Sequence, residues 1–128
     1  MKEILAIVRP DRWLAVKTAA AKAGATAFTQ TRVLGRGKTR GLAYLPKKGA
    51  DAGATLDYLP KRLATFLVPD DGVDQLVGAL IQAGKTGSAG DGKVFVLPVQ
   101  DAVRLRDGAA GEGIFAPDRV TGSMRREA

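Results

Sequence analysis

Residues 86–99 read Thr86-Gly-Ser-Ala-Gly-Asp-Gly-Lys-Val-Phe-Val-Leu-Pro-Val99. A helix-like run leads into this stretch and a strand-like run leads out of it. Between them stand Gly87, Gly90 and Gly92, the carboxylate of Asp91 and the ammonium of Lys93. Glycine lets a backbone approach a ligand closely, because no side chain blocks the way. Successive N–H groups turned inward form an anion nest, and a lysine beside them adds a mobile positive charge. The loop is therefore a candidate phosphate holder. A plain glycine-rich turn is the competing reading.

The stretch is not a P-loop. The spacing Gly87-x4-Gly92-Lys93 satisfies the first part of that pattern, but Val94 stands where a Ser or Thr must ligate magnesium. The order is also reversed, since a P-loop follows a strand and opens a helix. A second candidate, Gly84-Lys85-Thr86, lacks a glycine at position 79 and follows an apolar helical run.

Working outward, Ile4 to Val8 is a short apolar run closed by Arg9-Pro10, which predicts a buried strand. Pro10 and Asp11 suit a helix start. Trp13 to Ala23 follows, with Leu14, Val16, Ala19, Ala20 and Ala23 as its apolar face and Gly24 as its stop. Ala25 to Leu34 is rich in β-branched residues and predicts a second strand. From Gly35 to about Leu56 the periodicity dissolves among glycines and basic residues. A structureless stretch of about 20 residues inside a compact domain is usually functional. Leu63 to Val68 predicts a third strand. Pro69-Asp70-Asp71 then opens a helix whose stripe is Val73, Leu76, Val77, Leu80 and Ile81, with Gly84 as its stop. Lys93 to Leu97 predicts the last strand, ended by Pro98.

The order is strand, helix, strand, long loop, strand, helix, strand, with two halves of similar length suggesting an internal pseudo-repeat. This is an α+β, ferredoxin-like βαββαβ sandwich, an antiparallel sheet with two helices on one face. The other face is open. Burial against further subunits is its commoner fate. An RNA-binding domain of this shape would place aromatics there, and the strand stretches offer Phe28, Phe66 and Phe95 but no RNP motif.

Composition narrows the chemistry. The 128 residues suit one domain, and the hydrophobic (45%) and charged (26%) fractions are those of a globular chain rather than a disordered one. No cysteine or histidine is present, which removes disulfides, thiolate catalysis, ordinary zinc sites and imidazole acid–base chemistry. The N-terminus is too short and too charged for a signal peptide, and no run approaches the roughly 20 apolar residues of a membrane span. A cytoplasmic location is the expectation. The net charge of +7 permits nucleic-acid binding, but it equally suits anionic metabolites or an acidic protein partner.

Thr86-x3-Gly90-Asp91-Gly92-Lys93-Val94-Phe95-Val96 resembles the signature of the PII signal-transduction proteins, whose B-loop binds nucleotide phosphates. Further motifs follow in compatible order. Ile7-Val-Arg-Pro10 resembles the family's start, and Phe28-Thr29 with Gly35-Arg36-Gly37-Lys38 resembles the second strand running into the T-loop. Asp57-Tyr-Leu-Pro-Lys61 resembles the T-loop exit, Val68-Pro-Asp-Asp71 the start of the second helix, and Val103-Arg-Leu-Arg-Asp-Gly108 the C-loop. The resemblance covers residues 1–113, with a T-loop at about 36–57, a B-loop at 84–93 and a C-loop at 100–110. Residues 114–128 are a C-terminal extension.

The resemblance implies a homotrimer that binds ATP or ADP in clefts between subunits. It implies phosphate or ribose roles for Thr29, Gly37, Lys38, Gly87, Gly90, Lys93, Arg104 and Arg106. Ile7, Phe28, Gly35, Arg36, Lys61, Leu67, Asp91 and Gly92 are implied as further nucleotide contacts. Arg104 and Arg106 alternate along a segment expected to be extended, so both can project from one face and offer phosphate their planar forks. Without the family, a solvated edge is the plainer reading of those arginines. An anionic effector, such as a small carboxylate or bicarbonate, is implied to meet Arg9, Thr39, Arg40, Gly41 and Lys61. Lys61 is otherwise a surface lysine, and Arg9 otherwise ends a strand.

Three departures from the family pattern bear on function. No tyrosine lies between Leu45 and Asp57, where the family often has one that accepts a nucleotidyl group. Thr39 stands where a glutamine usually ligates magnesium. The chain also runs past the usual end. Gly35-Arg-Gly-Lys38 points to the nitrogenase-associated branch, and the missing glutamine to a carbon-sensing one. No protein-held metal is expected, although magnesium can accompany ATP. The sequence thus predicts a non-enzymatic sensor of adenine nucleotide that acts through its T-loop on a target protein, a transporter or an enzyme. The alternatives are a basic nucleic-acid-binding domain and a slow ATPase. In the latter Asp91, the loop's only acid, would act in catalysis; it otherwise simply caps the turn.

Overall fold

A computed structural model describes residues 1–37 and 58–116. Lys38, Thr39, Arg40, Gly41 and the rest of the expected T-loop through Asp57 lie outside the described residues, as does the extension from residue 117 onward.

The elements are β1 (Lys2–Val8), α1 (Trp13–Lys22), β2 (Thr29–Gly35), β3 (Leu59–Val68), α2 (Val73–Gly84) and β4 (Gly92–Pro98). Short 3-10 turns at Pro10–Arg12 and Asp70–Gly72 lead into the two helices, so the Pro-Asp signals mark the turn just ahead of each α-helix. The sheet is antiparallel with order β2-β3-β1-β4, and both helices cover one face of it. This is the ferredoxin-like α+β arrangement.

Alternation decides which residues face the helices. Ile4, Ala6 and Val8 of β1 and Ala64, Phe66 and Val68 of β3 point into the core. There they meet Val16 and Ala20 of α1 and Leu76 and Leu80 of α2, each pair four residues apart on one helical face. Two expected core positions lie outside it. Leu14 is 68% exposed and Ile81 is 47% exposed, because each sits on the rim of its helical stripe.

β2 begins at Thr29, four residues later than its composition suggests. Phe28 is the reason. Its ring packs edge-on against Trp13 at 5.5 Å and against Phe66 at 5.7 Å, holding the chain under the helix before pairing starts. β3 begins earlier than expected, at Leu59, and includes Pro60. β1 ends at Val8 opposite Arg62, so Pro60 lies where β3 has outrun β1 and has a neighbour on one side only. A strand tolerates proline at such a place.

The second face of the sheet carries Leu5 and Ile7, Leu63 and Leu67, and Phe95 and Leu97, aligned across β1, β3 and β4 by the register. No described helix covers it. Of the three strand phenylalanines only Phe95 stands there, since Phe28 and Phe66 belong to the helix side. That is not the aromatic platform of an RNA-binding sheet.

Candidate functional site

Antiparallel pairing brings the end of β1 to the starts of β3 and β4. Val8 pairs with Arg62 on one side and with Gly92 on the other. The residues one step beyond, Arg9, Lys61 and Asp91, therefore converge over the glycine loop. Arg9 Nε donates to Asp91 Oδ1 at 2.8 Å, and its terminal nitrogen donates to the carbonyl of Ala89 at 2.6 Å. Lys61 Nζ donates to the carbonyl of Gly90.

The loop is braced from within. The amides of Thr86 (2.7 Å) and Gly87 (2.9 Å) donate to Asp91 Oδ2, and the Thr86 hydroxyl donates to Oδ1 at 2.5 Å. The Thr86 hydroxyl and amide, then Arg9 and the Gly87 amide, hold the Asp91 carboxyl far below the usual carboxylate range. Gly87, Gly90 and Gly92 all have positive φ. At Gly92 the need for glycine is absolute: a Cβ there would lie 1.7 Å from the Ile7 carbonyl oxygen.

Lys61 is only 9% exposed. Burial, then the like charge of Arg9, lowers its pKa, with Asp91 and Asp11 opposing. The side chain thus carries a positive charge in a place that already holds another, which favours any anion or dipole that can approach.

The expected nucleotide residues fall into two groups. Ile7, Gly35, Lys61 and the loop from Gly87 to Lys93 share the upper end of the sheet, where Lys93 pairs with Ile7 and stands exposed. Gly35 pairs with Leu59, and its Cβ position lies 3.4 Å from the Lys61 stem. Arg36 and Gly37 continue from it, both exposed. Thr29 lies opposite Thr65, level with Leu5 at the middle of β1, Leu67 lies lower, opposite Glu3, and Phe28 packs against the core. The C-terminal segment starts from the lower end, where the Val99 amide donates to the Met1 carbonyl at 3.3 Å. The two ends of β1 are about 20 Å apart at 3.3–3.4 Å per residue.

Arg104 and Arg106 do not alternate along an extended strand as expected. Residues 105–107 form a turn, closed by Gly108 N–H to Arg104 O and Arg104 N–H to Ala109 O, both 2.8 Å. Asp107 is the cause: its two oxygens take Arg104 Nε and a terminal nitrogen at 3.0 Å each, and the Ala109 amide at 3.1 Å. Arg104 first, and the Ala109 amide next, pull the Asp107 carboxyl down to about 2.

Three of the side chains expected as contacts also brace the loop. Asp91 spends its carboxylate on the loop, and Arg9 and Lys61 spend donors on it. The brace was written in the spacing Thr86-x4-Asp91, but its outer half depends on Arg9, 82 residues away. Arg12, not singled out in the sequence, donates twice to the Ala83 carbonyl (2.9 and 2.7 Å) and so caps the end of α2 beside the loop. Among the described residues no group of three or more His, Cys, Asp or Glu is placed to hold a metal, and no helix is long and apolar enough to cross a membrane.

The family model described as nitrogen regulatory protein P-II matches residues 1–109, which include the whole sheet, both helices and the glycine loop. The chain belongs to the P-II family of nitrogen regulatory proteins. Among its P-II relatives is a "nitrogen fixation nifHD region GlnB-like protein 2" of Methanothermococcus thermolithotrophicus, 39% identical over 123 residues, spanning 88% of this chain and 96% of the relative. A nifHD1-region GlnB-like protein 2 of Methanosarcina barkeri is 40% identical over 119 residues, spanning 88% and 97%. A nitrogen regulatory protein P-II of Cereibacter sphaeroides is 38% identical over 112 residues, again 88% and 97%. The nif-region names support the nitrogenase-associated branch of the P-II family. P-II proteins form trimers and interact with target proteins.

Proposed function

We propose that this P-II protein binds ATP or ADP in clefts between the subunits of a homotrimer and reports the bound nucleotide to a protein partner through residues 36–57. One observation carries the reading. The glycine loop and Lys93 lie at one end of the sheet, whereas the segment that carries Arg104 and Arg106 leaves from the other. A single chain presents half of a nucleotide site at each end. A cleft between two copies joins a phosphate half to the other half, and the apolar open face supplies the surface that brings copies together.

Magnesium accompanies ATP when bound. A small carboxylate or bicarbonate is the candidate effector, and it would compete with the Ala89 and Gly90 carbonyls for Arg9 and Lys61. The protein works in the cytoplasm as a regulator rather than a catalyst. The Asp91 carboxylate, held ionised by four donors, is a poor general base, which argues against the ATPase alternative. The nif-region names of the relatives direct the search for a partner to the enzymes of nitrogen fixation.

Calorimetry tests the assignment. ATP and ADP compete for one site per subunit, and Lys93→Ala and Arg104→Ala each weaken binding by roughly 1.5–3 kcal/mol, the range of a hydrogen bond to a charged group. Unchanged nucleotide affinity in both variants refutes the assigned roles.

A further inference from the structure

We infer that Arg9 and Lys61 are positioning residues that turn the amides of Gly90 and Asp91 outward as the phosphate donors of the loop. The inference rests on the nucleotide reading above and says how that site is held ready. Arg9 donates to the Ala89 carbonyl and Lys61 to the next carbonyl, that of Gly90. All peptides of the described residues, the loop included, are trans. In a planar trans peptide the N–H points opposite to the C=O. Fixing the Ala89 carbonyl toward Arg9 therefore sends the Gly90 N–H the other way, and fixing the Gly90 carbonyl toward Lys61 does the same to the Asp91 N–H.

Three other amides of the loop are taken. Those of Thr86 and Gly87 donate to Asp91, and that of Ser88 reaches the Thr86 hydroxyl at 3.3 Å. Two consecutive amides aimed the same way make an anion nest. Gly90 suits the arrangement because its φ of +89° is open to glycine, and both cations stand beside it, 3.5 Å (Arg9) and 3.6 Å (Lys61 Nζ) from its Cβ position. Each cation also hangs from a different strand, Arg9 from the end of β1 and Lys61 from β3. The direction of the donors is thus set by how three strands sit together. Two cations that face carbonyls act on the phosphates through the backbone they hold.

The test uses the full chain with Lys61→Met and Arg9→Met, which keep most of each stem and remove the charge, and with Lys61→Arg and Arg9→Lys as conservative partners. Lys93→Met serves as the variant of a direct phosphate contact. Amide NMR without nucleotide is expected to show the Gly90 and Asp91 resonances displaced in the two charge-removing variants and retained in Lys93→Met. ATP affinity is expected to fall about ten- to a hundredfold in Lys61→Met, as for loss of one charged hydrogen bond. Adenosine affinity stays as in the unmodified protein, which a general loss of structure would not allow. Lys61→Arg recovers most of the ATP affinity.

Weakened ATP binding with the Gly90 and Asp91 resonances in place overturns the inference, because the cations then touch phosphate directly. Unchanged ATP affinity in Lys61→Met overturns it as well. Arg9 also anchors Asp91, so if Arg9→Met does not fold, the Lys61 pair decides. If the unmodified protein binds no ATP, the nucleotide reading falls. In that case inorganic triphosphate replaces ATP, and its binding with and without Lys61 decides the inference separately.

Discussion

Gly92→Ala concentrates the local energetics of the loop in one atom. The new methyl would sit 1.7 Å from the Ile7 carbonyl oxygen and 2.8 Å from its carbon, both backbone atoms of β1. Real contacts of this kind stay above 3.0 Å, so β4 must retreat from β1 by about 1.3 Å at its first residue. That separation breaks the ladder at Val8–Gly92 and strains it at Ile7–Lys93. Two weakened backbone hydrogen bonds cost about 1 kcal/mol each. A side chain at a φ of +113° costs about 1–2 kcal/mol more. The sum is about 3–4 kcal/mol. Urea unfolding at one fixed protein concentration reads it as a midpoint lowered by about 1.5–2 M for a slope near 2 kcal/mol/M. Two controls separate the terms. Gly24→Ala shares the positive φ but meets nothing within 4 Å, so it loses about 1 kcal/mol. Gly78→Ala, in the interior of α2 with open space around it, gains about 0.5–1 kcal/mol. A Gly92→Ala protein no less stable than Gly24→Ala refutes the close approach of β1 and β4 at this position.

The protein should scatter light as a trimer at micromolar concentration, because the apolar face of the sheet needs a cover; a monomer alone contradicts the between-subunit site. Asp107 should titrate near 2 rather than near 3.8, so the contribution of its pair with Arg104 is intact above about pH 4 and is lost as the pH falls toward 2. Side-chain carboxyl NMR checks this, and a midpoint near 3.8 contradicts the pairing. 2-Oxoglutarate should bind weakly or not at all to protein saturated with Mg-ATP, since Thr39 is shorter than the glutamine of the pattern this chain resembles and magnesium demands near-ideal geometry at about 2.1 Å. Thr39→Gln should strengthen that binding, and micromolar affinity in the unmodified protein defeats the argument.

The fold was legible because its signals are local. Apolar runs, Pro-Asp starts and glycine stops set the element order, and Leu76 and Leu80 face the core as their spacing requires. The errors arose where a side-chain contact overrides the local pattern. Composition extends β2 back to Ala25, but Phe28 turns aside to Trp13 and Phe66. Alternation sets Arg104 and Arg106 side by side, but Asp107 folds the segment into a turn. The candidate site was legible as a list of residues and much less so as an arrangement. Nothing in the sequence says that Arg9 reaches a loop 80 residues on, or that Lys61 faces a carbonyl rather than solvent.

On the proposed nucleotide reading, the same pairing that hides this arrangement from the sequence links assembly to ligand binding. β1 sits between β3 and β4, so one end of it gathers the loop and its cations, and the other end receives the segment that carries Arg104. The strand between the two ends is about 20 Å long. On the proposed reading the two halves meet across a boundary between copies, formed by the apolar face where Ile7 and Leu63 lie beside Lys93. A nucleotide held by both halves then binds the assembled protein and not the separated chains, and it stabilises the assembly by mass action, about 2.7 kcal/mol at a hundred times its Kd. On the proposed nucleotide reading, the glycine loop is both a ligand site and part of what keeps the subunits together.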